Sequence, residues 1–166
     1  MQIFYLRRFL LAFLLNNFNC LIHFHAKQTT YYMRANCTSL KLNSNPTNIQ
    51  KLSHYVETIV KQYRIRPDAQ GDILISLTEA VNNAIIHGNR KDEKKFVEVT
   101  CTVRQASLSI EVKDEGKGFD YNNLPDPTSK ERICECGGRG VYLMRQLSKT
   151  CKFHNKGNTV EMEFPI

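Results

Sequence analysis

Apolar positions in the middle of the chain recur at helical spacing, and later they alternate. Ile73, Leu77, Ala80, Val81 and Ala84 follow one another around a helix expected over residues 68–87, an apolar stripe that needs a core beneath it. Ser76, Glu79, Asn83 and His87 keep steps of three or four on a neighbouring face, so their polar ends are expected along one ridge. An earlier stripe, Ile49, Leu52, Val56, Ile59 and Val60, predicts a helix that starts after Ser44-Asn45-Pro46, reaches Tyr63 and is broken by Arg64-Ile65-Arg66-Pro67. Leu40 and Leu42 alternate as a short strand. Val97, Val99, Cys101 and Val103 alternate across 96–104, and Leu108, Ile110 and Val112 across 107–114, as hairpin partners joined at Gln105-Ala106. That turn lacks the usual glycine or asparagine. Residues 151–155 and 159–164 form a closing hairpin around Lys156-Gly157-Asn158, and 120–136, with Pro125 and Pro127, reads as a loop.

A chain of 166 residues, 42% of them hydrophobic, is long enough for one domain with a real core. The net charge of +7 does not point to nucleic acid, because Arg7, Arg8, Lys27 and Arg34 supply four charges in an opening segment without acidic residues. About +3 is left for the rest, weak attraction for a phosphate backbone. The six cysteines, Cys20, Cys37, Cys101, Cys134, Cys136 and Cys151, lack paired-loop spacing and read as reduced thiols. Cys134-Glu135-Cys136 offers two ligand positions but no second pair to complete a zinc site. Arg7-Arg8 before an apolar run over 9–15 has the order of a secretory signal, too short to span a bilayer and followed by no small-residue cleavage site. Two readings stand for residues 1–33: a start at Met33 with 34–42 as the first strand, or a disordered or peripheral leader. Either leaves 34–166 as the domain.

Three stretches carry chemistry. Glu79 and Asn83, one turn apart beside a core face, pair a base with a hard cation ligand, although such a pair taken alone is more often a solvated helix flank. Asp114 shares the parity of Leu108, Ile110 and Val112 and should point to the apolar side. A lone carboxylate there is costly unless something donates to it, and the exocyclic amino group of a purine is one such donor. Gly116 and Gly118 let the backbone after it turn tightly. Finally Gly137-Gly138-Arg139-Gly140 opens an amphipathic helix over 141–147, an arrangement that presents backbone N–H groups to phosphate.

E-x-x-x-N at Glu79 and Asn83, D-x-G-x-G at Asp114, Gly116 and Gly118, then G-x-G at Gly138 and Gly140 resembles the GHKL ATPase superfamily. Residues 79–88 and 140–144 are most similar to its small anti-sigma factor and serine-protein kinase group, and the resemblance runs from Thr38 to the C-terminus. It implies an α+β two-layer sandwich, a mixed and mostly antiparallel sheet with helices on one face and ATP between the layers. It also implies Mg²⁺ on Asn83, adenine on Asp114, phosphates on Gly138, Arg139 and Gly140, and Glu79 as general base toward a serine or threonine of an antagonist protein. His87 is either a phosphate contact or a satisfier of the helix end. Arg139 departs from the family, where an apolar residue is common, and Asn158 stands near a position where a threonine is common. The implied protein is a cytoplasmic homodimer without a membrane span or direct nucleic-acid contact, a kinase that also sequesters a sigma factor and answers to an anti-anti-sigma antagonist. A non-catalytic ATP-binding module is the competing reading. An isolated histidine-kinase catalytic domain is a third, although no histidine-bearing helix pair precedes the motifs and no Phe-rich box separates the last two.

Overall fold

The computed structural model describes the backbone of residues 22–26 and 29–34, and backbone and side chains of 36–104, 106–124 and 139–166. Among the described residues seven strands form one sheet: β1 (Ile22–Ala26), β2 (Thr29–Arg34), β3 (Cys37–Asn43), β4 (Phe96–Arg104), β5 (Ser107–Asp114), β6 (Thr150–His154) and β7 (Thr159–Pro165). Their order is β1-β2-β3-β4-β5-β7-β6. The sheet expected to be mixed is antiparallel at every pairing between described strands, because each connection within it is a hairpin or a return after helices. Among the described residues three helices cover one face: α1 (Lys51–Tyr63), α2 (Pro67–Asn83) and α3 (Gly140–Leu147). Among the described residues no helix is long and apolar enough to cross a membrane.

Strand alternation decides which face the helices take. Leu40, Val99 and Val112 lie side by side across β3, β4 and β5, and each is almost wholly buried. On the other face Glu98, Glu111 and Lys113 stay exposed. Leu52, Val56 and Ile59 of α1 and Ile73, Leu77 and Val81 of α2 close the core from above. Burying each such side chain is worth about 1.5–3 kcal/mol. Asn45 caps the entry to α1, its Oδ1 accepting from Thr47 N–H at 3.0 Å, with Pro46 in the 3₁₀ turn Pro46–Gln50. The β4–β5 register is firm despite its plain turn, with Arg104 opposite Ser107.

Four expectations are corrected. Residues 22–26 and 29–34, read as part of a leader, pair as a hairpin on the edge of β3: the threonines and tyrosines at 29–32 favour extended backbone, and an open strand edge offers them hydrogen bonds. The strand expected over 34–42 begins instead at Cys37, since Arg34 already pairs with Cys37 across a tight turn at Asn36. The helix expected to run regularly to His87 changes at Ala84 into a π turn, Ala84–Gly88, closed by Asn89 N–H on Ala84 O at 2.8 Å. Ser76 does not belong to an open ridge: α1 and α3 both pack against α2, and Ser76 is fully buried. Residues 1–21, Cys20, Cys134, Cys136 and most of the loop expected at 120–136 lie outside the described residues.

Candidate functional site

The C-terminal half of α2, the π turn, the end of β5, the start of α3 and the start of β7 enclose a cavity of about 700 Å³. Glu79, Asn83 and His87 reach its wall from above, Asp114 and Gly118 from the sheet, and Arg139 and Gly140 from the mouth of α3. Those seven expected residues therefore converge across a sequence span of some sixty positions. Gly116 does not line the wall; it sits behind Asp114. Gly138 lies outside the described residues.

Asp114 is 8% exposed at the floor. Its Oδ1 accepts the Gly116 N–H at 2.7 Å, and its own N–H donates to Asn158 O at 2.9 Å. Burial raises the carboxyl pKa above its ordinary value, opposed by the Gly116 hydrogen bond and by the charge of Lys95. One oxygen keeps acceptor capacity toward the cavity, the capacity an amino donor would use. Two glycines make room for this group. A Cβ on Gly88 would stand 2.4 Å from Asp114 Cγ, and one on Gly116 would stand 2.3 Å from Gly88 O.

At the far end Glu79 and Asn83 press against the first residue of α3. A Cβ on Gly140 would lie 2.6 Å from Glu79 Oε2 and 3.2 Å from Asn83 Nδ2, so glycine lets the helix start approach both without displacing the Glu79 carboxylate. Backbone N–H groups at that start have no intrahelical partner and suit an anion. Among the described residues no three His, Cys, Asp or Glu gather as a metal cage. A magnesium site built on one or two side chains plus phosphate oxygens needs no such cage, and the Asn83 carboxamide beside Glu79 fits it. Between the two ends the wall is apolar, with Val112, Met144 and Val160 buried behind it and Ile86, Phe119 and Leu124 exposed toward it. Phe119 is braced by the ring of Phe153, 5.4 Å away and edge-on, and by its N–H on Lys156 O at 2.9 Å.

A carboxylate at the floor, a glycine-opened helix at the mouth and a Glu/Asn pair between them agree with a family model, histidine kinase-like ATPase domain, that matches residues 42–164. The chain belongs to that family. Within it the chain falls in the anti-sigma factor and serine-protein kinase group. It is 34% identical over 98 residues to an anti-sigma F factor of Clostridium perfringens, a match covering 55% of this chain and 69% of the relative. It is 26% identical over 135 residues to the serine-protein kinase RsbW of Bacillus subtilis, covering 77% and 84%. An anti-sigma F factor of Oceanobacillus iheyensis is 27% identical over 124 residues, covering 60% and 85%.

The ATPase domain also uses residues that pattern reading passed over. Asn82, Ile86, Phe119, Leu124 and Gly157 line the cavity without having been singled out as site residues. Ile86, Phe119 and Leu124 are exposed apolar side chains beside a motif, visible only on the folded surface, and Asn82 and Gly157 carry no signal in the pattern. Asn158 lines the cavity, and the adjacent Thr159 is buried with its Oγ1 donating to Asn158 Oδ1 at 3.1 Å.

Proposed function

We propose that the protein binds ATP with Mg²⁺ in this cavity and transfers the γ-phosphoryl group to a serine or threonine of an antagonist protein. The observation that carries the reading is the buried Asp114 carboxylate, given space by Gly88 and Gly116 at the floor of an apolar cavity that leads to Glu79 and Asn83. Asp114 accepts from the adenine amino group, and a guanine, with a carbonyl there, is refused. Phe119 and Ile86 flank the base, while backbone N–H groups from Gly138 to Gly140 hold the phosphates and His87 and Arg139 stand at the wall near them. Asn83 holds magnesium, whose charge offsets that of the phosphate oxygens. Glu79 takes the proton from the attacking hydroxyl as its oxygen bonds to phosphorus and the bond to ADP breaks.

Names of relatives support the biological half of the reading. Kinase and anti-sigma factors stand side by side among them, so we infer a partner switch in the cytoplasm: the domain, as a homodimer, sequesters a sigma factor and frees it when an unphosphorylated anti-anti-sigma antagonist takes its place on the domain. Incubation with labelled ATP and candidate antagonists tests the kinase half. Label on serine or threonine that disappears with Glu79→Gln, while ATP binding persists, is the expected result. ATP binding without transfer to any partner overturns the kinase in favour of a binding module, and acid-labile label on a histidine overturns it in favour of a histidine kinase.

A further inference from the structure

Asn89 follows the π turn, is 1% exposed and does not line the cavity. Its carboxamide is fully engaged. Nδ2 donates to Ser44 Oγ at 2.8 Å and to Phe96 O at 2.9 Å, and Oδ1 accepts from Glu115 N–H at 2.8 Å. One side chain thus ties the π turn to the segment after β3, to the first residue of β4 and to the residue just after Asp114.

We propose that Asn89 is the positioning residue for base recognition: it sets the slot in which the Asp114 carboxylate lies. This rests on the reading of Asp114 as the adenine acceptor. Both walls of the slot are neighbours of the Asn89 links. Gly88, bonded directly to Asn89, passes so close that an added Cβ would meet the carboxylate, and Gly116, next to Glu115, supplies the N–H that fixes Oδ1. The walls also touch each other, Gly116 against Gly88 O. Holding the Glu115 N–H on the Asn89 carboxamide therefore fixes the spacing of the two backbones and, with it, the direction of the free carboxylate oxygen. A second tie, Phe96 N–H to Glu115 Oε2 at 2.8 Å, anchors the same loop from β4. The residue type matters. An aspartate keeps the acceptor toward Glu115 but loses both donors and turns an oxygen toward the Phe96 carbonyl, and an apolar side chain leaves buried donor and acceptor groups unmatched.

The test compares ATP with inosine triphosphate, which carries a carbonyl where adenine has its amino group, by calorimetric titration of the full chain. The wild type should favour ATP. Asn89→Asp should lower that preference about tenfold, mostly through weaker ATP binding, because one charge-assisted hydrogen bond loses its alignment. Ser44→Ala removes one acceptor of the Asn89 donors and should lower the preference roughly threefold; it decides the matter if Asn89→Asp does not fold. In both variants the Gly116 amide proton should move from its wild-type resonance and titrate differently with pH. An unchanged ATP preference and Gly116 resonance in the folded variants, alongside a lower melting temperature, overturns the inference and leaves Asn89 a packing residue. Asp114→Asn separates the two ideas. If that change leaves the preference intact, the adenine reading itself fails; if it abolishes the preference while the Asn89 and Ser44 variants keep it, only the positioning role fails.

Discussion

Gly88→Ala probes the site at its tightest contact. The new Cβ would stand 2.4, 2.5 and 2.6 Å from Cγ, Oδ1 and Oδ2 of Asp114, against an ordinary separation of about 3.5–4.0 Å. Roughly 1 Å of movement is required. If the carboxylate swings, it leaves the 2.7 Å bond from Gly116 N–H, a hydrogen bond to a charge worth about 1.5–3 kcal/mol. If the backbone yields instead, overpacking costs about 1–3 kcal/mol. Either route lowers the melting temperature by a few degrees, at about 2–4 °C per kcal/mol for a domain of this size. The swung carboxylate also misses the adenine amino group, so ATP affinity should fall roughly 10- to 150-fold. A double-mutant cycle sharpens this, because the φ of Gly88 is not in the left-handed region and alanine is locally acceptable there. In an Asp114→Ala background the same change should be neutral or stabilising, by up to about 1 kcal/mol. Urea unfolding and calorimetric ATP titration of the four proteins measure both quantities. A Gly88→Ala protein that keeps wild-type stability and ATP affinity, or one destabilised equally in both backgrounds, would refute the reasoning.

Other outcomes follow from single groups. The folded-state pKa of Asp114 is raised above 3.8, so its contribution to stability is present below that value and lost as pH rises through the raised one. Asp114→Asn should thus leave the nucleotide-free protein as stable at neutral pH or more so, while weakening ATP binding; denaturant melts at pH 4 and pH 7 with an ATP titration check both. Lys91 sits at φ 59 in the tight turn after Asn89, and Lys91→Gly should raise stability by about 0.5–1 kcal/mol in thermal melts. Leu77→Ala, at a fully buried position of α2, should cost about 2–5 kcal/mol by denaturant titration. Burial pushes the Cys101 thiol up to about 12 and that of Cys151 up to about 11, so peptide mass spectrometry after iodoacetamide at pH 8 should find neither labelled in the native protein.

Periodicity located most of the scaffold because burial acts on each residue in turn. Val97, Val99 and Cys101 alternate inward as their spacing requires, and Asp114 shares the buried parity of Val112. What escaped depends on contacts between distant positions. Ser76 obeys the helical spacing of Glu79 and Asn83, yet tertiary packing of the helices leaves it fully buried. Gly88 and Asn89 look like an ordinary helix end until β5 returns beneath them with Asp114 and Glu115. The hairpin over 22–34 was overshadowed by the charged and apolar residues before it, although Thr29, Thr30, Tyr31 and Tyr32 carried a strand signal of their own.

The π turn at Ala84–Gly88 holds one residue more than an α turn would accommodate. That extra residue shifts the phase of everything after it by about a hundred degrees around the axis, and it is the residue lacking a side chain that arrives over the carboxylate. Excising one of Ala84, Ile85 and Ile86 would keep Asn83, His87 and Gly88 in the chain but shorten the step between them, bringing Asn89 rather than Gly88 over the Asp114 carboxylate.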